Sequence, residues 1–280
     1  MRLQRRLYAS FLRPGGVVPE IVTVDDAGSL DLVAELARAN TGAGSRQTGW
    51  RVVSQSRERA SIQRGALRIA CEPRDLALGR QNVLTLGQLV SLRMAAGSAS
   101  YLPGWYLALS DEPFVESPDA LIVRLYWHVT ARGAAHFMRA VTGQLNRAGV
   151  PFELKLASHS NRYDGGDAAV LYLNHSDVMA AWETLTSVVS ELDLHPTIPA
   201  LTKPLAPGVG LAEDPAGGLS FGMHRCGLLA EGILRAWEAS ARRLPDRMQI
   251  VAETFAEVGI AFEYPFINPG STDTYDLAWP

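Results

Sequence analysis

The chain has 280 residues, 47% of them hydrophobic and 20% charged, with a formal net charge of −3. That length buries a substantial core as one large domain or two small ones, and nothing in the composition points to disorder. The slightly acidic balance excludes the basic excess of a general nucleic-acid binder, so any bound anion must be met by a local cluster of cations.

Arg2, Arg5, Arg6 and Arg13 at the N-terminus are followed by no uninterrupted apolar core and no small-residue cleavage site. No later run is long enough to span a bilayer, so the sequence predicts neither export by the general pathway nor a membrane anchor. Ser29 is placed to cap a helix with Leu32, Leu36 and Ala39 on one face, ended by Asn40-Thr41-Gly42. Residues 41–51 read as a loop. Residues 62–71, where Leu67, Ile69 and Cys71 alternate with Ala66, Arg68 and Ala70, and residues 105–109 read as strands. Between them Leu84, Leu86, Leu89, Val90 and Met94 suggest a helix, interrupted by Gly79, Gly87 and Gly97. Arg57, Arg59, Arg64 and Arg68 read as solvated surface charge, and this part holds no catalytic constellation. Cys71 and Cys226 are too few for a disulfide scaffold and lack zinc-ligand spacing, which suits a reducing cytoplasm.

Asp111-Glu112-Pro113 and Ser117-Pro118 are turn-rich and divide an N-terminal α/β subdomain, 1–116, open to a peptide or partner, from a second unit, 117–280. In the second unit Leu121, Val123, Leu125, Trp127 and Val129 line one face of a strand, leaving Ile122, Arg124, Tyr126 and His128 on the other. Phe137, Val141 and Leu145 repeat at helical spacing up to Asn146 and Gly149. Pro151 then opens a strand with Phe152, Leu154 and Leu156 on one side and Glu153 and Lys155 on the other. A strand over 168–173 follows, and then a helix marked by Val178, Trp182, Leu185, Val189 and Leu192. Strands and helices alternate without a repeat or a dinucleotide fingerprint, so the fold class is α+β, with a mixed or antiparallel sheet flanked by helices.

The stretch 202–226, TKPLAPGVGLAEDPAGGLSFGMHRC, organises the rest. Its glycines and prolines predict a loop before Leu219, after which Ser220 caps a helix carrying Leu229, Ile233 and Trp237. Lys203, His224 and Arg225 would meet at that helix N-terminus. Two readings stand: an anion site, phosphate foremost, or a structural loop with surface cations.

VRLYWHV at 123–129, PFELKL at 151–156, DAAVLYL at 167–173, the 202–226 stretch and PFINP at 265–269 together resemble the HopA-type bacterial effector family. The resemblance covers roughly 120–280, with the motifs in the family's order. Members of that family accompany kinase-like proteins in the biosynthesis of modified peptides such as class V lanthipeptides and thioamide-containing relatives. The resemblance therefore implies a phosphoserine/phosphothreonine lyase, distantly similar to OspF, with an OspF-like lyase core in the C-terminal part. Its implied partners are a phosphorylated precursor peptide, a kinase-like protein and a cyclase in one complex.

Such an elimination needs a base for the Cα proton, positive charge around the phosphate and an acid for the leaving oxygen, but no metal, redox cofactor or covalent nucleophile. Lys155 is the expected base if burial or neighbouring cations lower its pKa. Arg124, Arg162, Lys203, His224 and Arg225 are the expected phosphate ligands, because a guanidinium holds a dianion without losing its proton. The acid is open among His128, Tyr126 and His224. OspF-type lyases place a lysine two residues before the acid histidine, where this chain has Tyr126. Gly165-Gly166 also stand where the resemblance leads one to expect a cation, which leaves two readings: Arg162 substitutes from the loop, or the phosphate pocket is weaker than in active relatives. His136, His159, His175 and His195 have no partners at ligand spacing and read as surface or structural. Two further readings compete with peptide maturation: a non-catalytic subunit that holds a peptide or kinase, and an effector acting on host phosphoproteins through the same pocket.

Overall fold

The computed structural model describes residues 2–12, 27–77, 83–114 and 120–277. In chain order the elements are α1 (Arg2–Leu7), α2 (Ala27–Ala39), β1 (Arg46–Gln55), β2 (Ala60–Arg64), β3 (Leu67–Cys71), β4 (Leu76–Ala77), β5 (Leu89–Arg93), β6 (Gly97–Ser98), β7 (Trp105–Leu109) and β8 (Ile122–Trp127). They continue with α3 (Ala134–Ala148), β9 (Glu153–Ala157), β10 (Ala169–Asn174), α4 (Val178–Val189), β11 (Lys203–Ala206), β12 (Val209–Glu213), α5 (Phe221–Glu238) and α6 (Leu244–Ala256). The strands form two sheets, β3-β2-β1-β5-β4 and β11-β12-β8-β10-β9-β7-β6, and their pairings are antiparallel. The fold is thus α+β, with antiparallel sheets.

The seven-stranded sheet carries the main core. Val123, Leu125 and Trp127 of β8, Leu154 and Leu156 of β9, and Leu171 and Leu173 of β10 are fully buried on one face. There Trp127 meets Phe137 of α3 at 5.4 Å and Trp182 of α4 at 6.5 Å between ring centroids. Leu36 and Ala39 of α2 join the same cluster. The amphipathic periods of α2, α3 and α4 are what press those helices onto the apolar sheet face. On the other face Phe221 of α5 packs on Tyr126, and α1 and α6 pack against α5. The five-stranded sheet has a separate small core of Trp50, Val52, Ala60, Ile62, Leu76, Val90 and Leu92.

Several local expectations give way. Residues 41–51 are a loop only as far as Ser45, because β1 begins at Arg46. The run 62–71 is not one strand but the hairpin β2–β3, turned at Gly65-Ala66. The helix expected around Leu84–Met94 is replaced by β5, where Val90 and Leu92 point to Trp50 and Gln47 by a period of two; Gly79 lies outside the described residues. Burial by alternation outweighs a helical reading there. The loop expected from Pro204 is instead the hairpin β11–β12, with Val209 and Leu211 fully buried beside β8. Pro204 is tolerated because β11 is an edge strand, where a missing N–H is harmless. α2 begins at Ala27, upstream of Ser29. Ser220 does cap α5, its Oγ accepting from the Met223 amide at 3.3 Å.

Sheet membership divides the chain between Arg93 and Gly97, since β6 and β7 belong with β9 and the C-terminal half. α2 also packs on that half, which makes the five-stranded sheet an excursion from the main unit. The expected division at 116/117, with Ser117-Pro118, lies outside the described residues.

Candidate functional site

Strand register aligns the polar residues of the sheet's second face. Arg124 lies opposite Tyr172, which lies opposite Glu153. One step along, Tyr126 lies opposite Val170, which lies opposite Lys155. Trp105 on β7 comes next, opposite Ala157. Adjacent strands are about 4.8 Å apart, so Lys155 and Tyr126 start about 10 Å from each other and can reach toward one point between them.

The result is a row of three cations separated by two aromatic rings. Arg162 sits over Trp105 at 4.3 Å, Lys155 Nζ lies 4.6 Å from the same ring and 5.2 Å from Tyr172, and Arg124 lies 5.0 Å from Tyr172. A ring face attracts a cation without neutralising it, at about 0.5–2 kcal/mol per contact. Arg124, buried, also pairs with Asp214. Arg162 donates from Nη1 to the Gly104 carbonyl at 3.1 Å. Gly104 has φ of 80°, and a Cβ there would stand 2.7 Å from Arg162 Nη1, so only glycine leaves room for this guanidinium.

Among the described residues Lys155 Nζ has no hydrogen-bond or ion-pair partner. Burial and the neighbouring Arg124 guanidinium pull its pKa down to about 8, against Asp167, and Arg162 lowers it further. The amine therefore gives up its proton more readily than an ordinary lysine does. Burial holds the Tyr126 and Tyr172 phenols up, Tyr172 at about 12, so both are protonated at neutral pH. The site thus offers an amine able to take a proton, two guanidinia, and phenols able to give one. Asp167, which accepts from Tyr8 Oη at 2.8 Å, completes it from the loop before β10.

Four of the eight expected site residues, Arg124, Tyr126, Lys155 and Arg162, come together. Arg162 reaches the row from a short 3-10 turn, Ser160–Arg162, and a side chain at Gly166 would place its Cβ 2.9 Å from Pro199 Cδ. His128 lies beyond the end of β8, its Nδ1 3.0 Å from the Thr197 carbonyl and 2.9 Å from Thr197 Oγ1, with His195 stacked at 4.6 Å. Burial lowers its pKa. Nε2 is buried without a hydrogen-bond partner among the described residues, and the ring stands apart from the row of cations on the sheet.

The other three expected phosphate ligands, Lys203, His224 and Arg225, are engaged elsewhere. By register Lys203 shares the face of Leu211 and Leu125, opposite to that of Arg124. Its Nζ spends all three donors on Asp273 Oδ1 and Oδ2 and the Tyr275 carbonyl, each at 2.7 Å. Arg225 is fully buried and donates to the carbonyls of Pro265 and Ile267 and to Asn268 Oδ1. Its Nη1 lies 2.7 Å from His224 Nδ1; burial and this guanidinium lower the His224 pKa. The start of α5 is therefore a lock for the C-terminal tail, and the predicted convergence of Lys203 and Arg225 on the site does not occur. Sequence reasoning missed Trp105, Tyr172, Asp167 and Asp214. Strand alternation marks Trp105 and Tyr172 as facing Lys155, whereas the two aspartates come from loops and carry no such signal.

A family model described as the HopA1 effector protein family matches residues 96–267, more than half of the chain. The chain belongs to the HopA1 effector protein family. The match begins at β6, at the change of sheet. The effector protein from Pseudomonas syringae pv. tomato strain DC3000 has a similar structure, with a TM-score of 0.54 and 14% identity over 95% of this chain and 88% of that one. That likeness shows a shared fold. A second effector structure, from Pseudomonas syringae pv. syringae strain 61, aligns with a TM-score of 0.46 and 14% identity, covering 90% and 85% of the two chains. No curated protein sequence matches. No helix among the described residues is long and apolar enough to cross a membrane.

Proposed function

We propose that this HopA1-family chain is a lyase that eliminates phosphate from phosphoserine or phosphothreonine of a precursor peptide, leaving dehydroalanine or dehydrobutyrine. The observation that carries the reading is Lys155, an amine with no ion pair among the described residues, pulled down to about 8 by burial and held between the Trp105 and Tyr172 rings that also carry Arg162 and Arg124. Lys155 removes the Cα proton, the electron pair becomes the Cα–Cβ double bond, and the Cβ–O bond breaks to release phosphate. Arg124 and Arg162 hold the phosphate oxygens, with Arg124 exchanging Asp214 for the ligand. The Tyr126 phenol, beside Arg124, gives its proton to the leaving oxygen. A kinase-like protein supplies the phosphopeptide and a cyclase consumes the product.

Incubation of the purified chain with a phosphothreonyl peptide, followed by mass spectrometry, tests this directly. Loss of phosphoric acid supports the lyase. Loss of the phosphoryl group with water retained would indicate a phosphatase, and an unchanged but bound peptide a non-catalytic subunit. One observation favours the binding-only reading: Asp214 and Asp167 already offset much of the positive charge. Family membership equally allows a host phosphoprotein as substrate, and replacing the peptide by phosphorylated proteins in the same assay separates the two.

A further inference from the structure

Charge is distributed very unevenly along this chain. Residues 46–93, which contain the five-stranded sheet, hold nine arginines against three acidic residues, a net charge of +6, whereas the remainder carries −9. The eight of these arginines that are described are all exposed, and among the described residues only Arg74 is in an ion pair, with Glu72. Positive charge of this density on a small module of an acidic protein favours an anionic partner.

The same sheet ends in β3, whose outer side has no described partner. Gly65, with φ of 59°, takes the first central position of the two-residue turn Gly65-Ala66 and makes Arg64 and Leu67 a hydrogen-bonded pair. Such pairs alternate, so Ile62–Ile69 and Ala60–Cys71 are bonded to each other, while Gln63–Arg68 and Ser61–Ala70 are not. The N–H and C=O groups of Arg68 and Ala70 therefore point to the open edge, four main-chain groups ready for another strand. β3 has no proline and no bulge to block pairing, and Leu67 is 55% exposed.

Arginines flank this edge. Arg68 lies on it, Arg64 stands at its turn end over Trp50 at 4.7 Å, and a cleft of about 570 Å³ at its other end is lined by Arg57, Arg59 and Arg74 together with Glu58 and Glu72, the latter paired with Arg74. We infer that the outer edge of β3 is a docking site for an extended acidic peptide segment, which adds as a further strand and places its carboxylates against these arginines. Main-chain bonds supply the affinity and the arginines the selectivity. A nucleic acid would use the charge but not the strand edge. The inference stands independently of the chemistry at Lys155.

The test uses the full chain and a fluorescein-labelled peptide of alternating Glu and Val, with a Lys/Val peptide as counterpart, read by fluorescence anisotropy. The acidic peptide binds and the basic one does not. Ala70→Pro deletes an outward N–H without touching the β2 ladder and weakens binding by about tenfold, the worth of one or two main-chain hydrogen bonds. Arg68→Glu weakens it at least as much, and Arg235→Ala, on α5, leaves it unchanged. Thermal melts confirm that the variants are folded, and if Ala70→Pro does not fold, Arg68→Glu decides. Equal affinity for both peptides, or full binding by a folded Ala70→Pro or Arg68→Glu, overturns the inference. So does a single-stranded oligonucleotide that binds more tightly than the acidic peptide and is indifferent to Ala70→Pro.

Discussion

Replacing Lys155 by Met should stabilise the protein. An amine whose pKa falls from its ordinary 10.5 to about 8 on folding is held in its charged form at a cost. That difference corresponds to about 3 kcal/mol at neutral pH. Lys155 is half-buried rather than sealed off, so solvent screening reduces the figure to about 1–2 kcal/mol. Met keeps the apolar stem against Trp105 and Tyr172 and removes the ammonium. The sign follows from linkage: between pH 8 and 10.5 the unfolded chain binds more protons at this position than the native one, so wild-type stability rises with pH across that window. The cost is fully present below about pH 8 and mostly gone by pH 10. Urea unfolding of both proteins at pH 7 and pH 10 measures it, the difference between them cancelling every other titrating group. The variant should lead at pH 7 and the gap should close with rising pH. A variant no more stable than wild type at pH 7, or a gap that does not change, would show that Lys155 is not depressed.

Three other outcomes follow from the same geometry. If Lys155 is the base, elimination should rise with pH to a plateau above about 8; Arg162→Ala should move that midpoint upward and Asp167→Asn downward, because one group lowers and the other raises the lysine. A pH–rate profile with an unmoved midpoint in both variants would sever the link. Gly104→Ala should displace Arg162, weaken phosphopeptide binding in a direct titration, and lower stability by about 1–3 kcal/mol through its positive φ and close contact. Arg225→Ala should cost about 3–5 kcal/mol, because it leaves acceptors at Pro265, Ile267 and Asn268 without their donor. Unchanged melting with lost phosphopeptide affinity would instead restore Arg225 as a phosphate ligand.

The elements that position the site were legible because their patterns are one-sided. β8, β9 and β10 alternate cleanly, and an arginine or lysine amid such alternation stands out on the polar face, which is how Arg124 and Lys155 could be named. Less legible were the strands whose burial is partial or whose residues are small. β12 packs with Gly210 and Ala212 against β8, so its Gly-Pro surroundings imitate a loop, and β1 to β3 scatter arginines over an exposed face. Lys203 and Arg225 looked like anion ligands because sequence shows charge but not its counter-partners. Asp273 lies 70 residues from Lys203, and Pro265 lies 40 from Arg225, contacts that only the folded tail creates.

The proton-transfer role of Lys155 is tested most directly by pairing Lys155→Arg with Lys155→Ala in the phosphothreonyl-peptide assay. Arginine keeps the positive charge but does not give up its proton. Both variants should lose dehydration by about 10²–10⁴-fold, while the arginine variant still binds the phosphopeptide. Near-normal dehydration by a folded Lys155→Arg protein would contradict the account and move the base elsewhere on the sheet face.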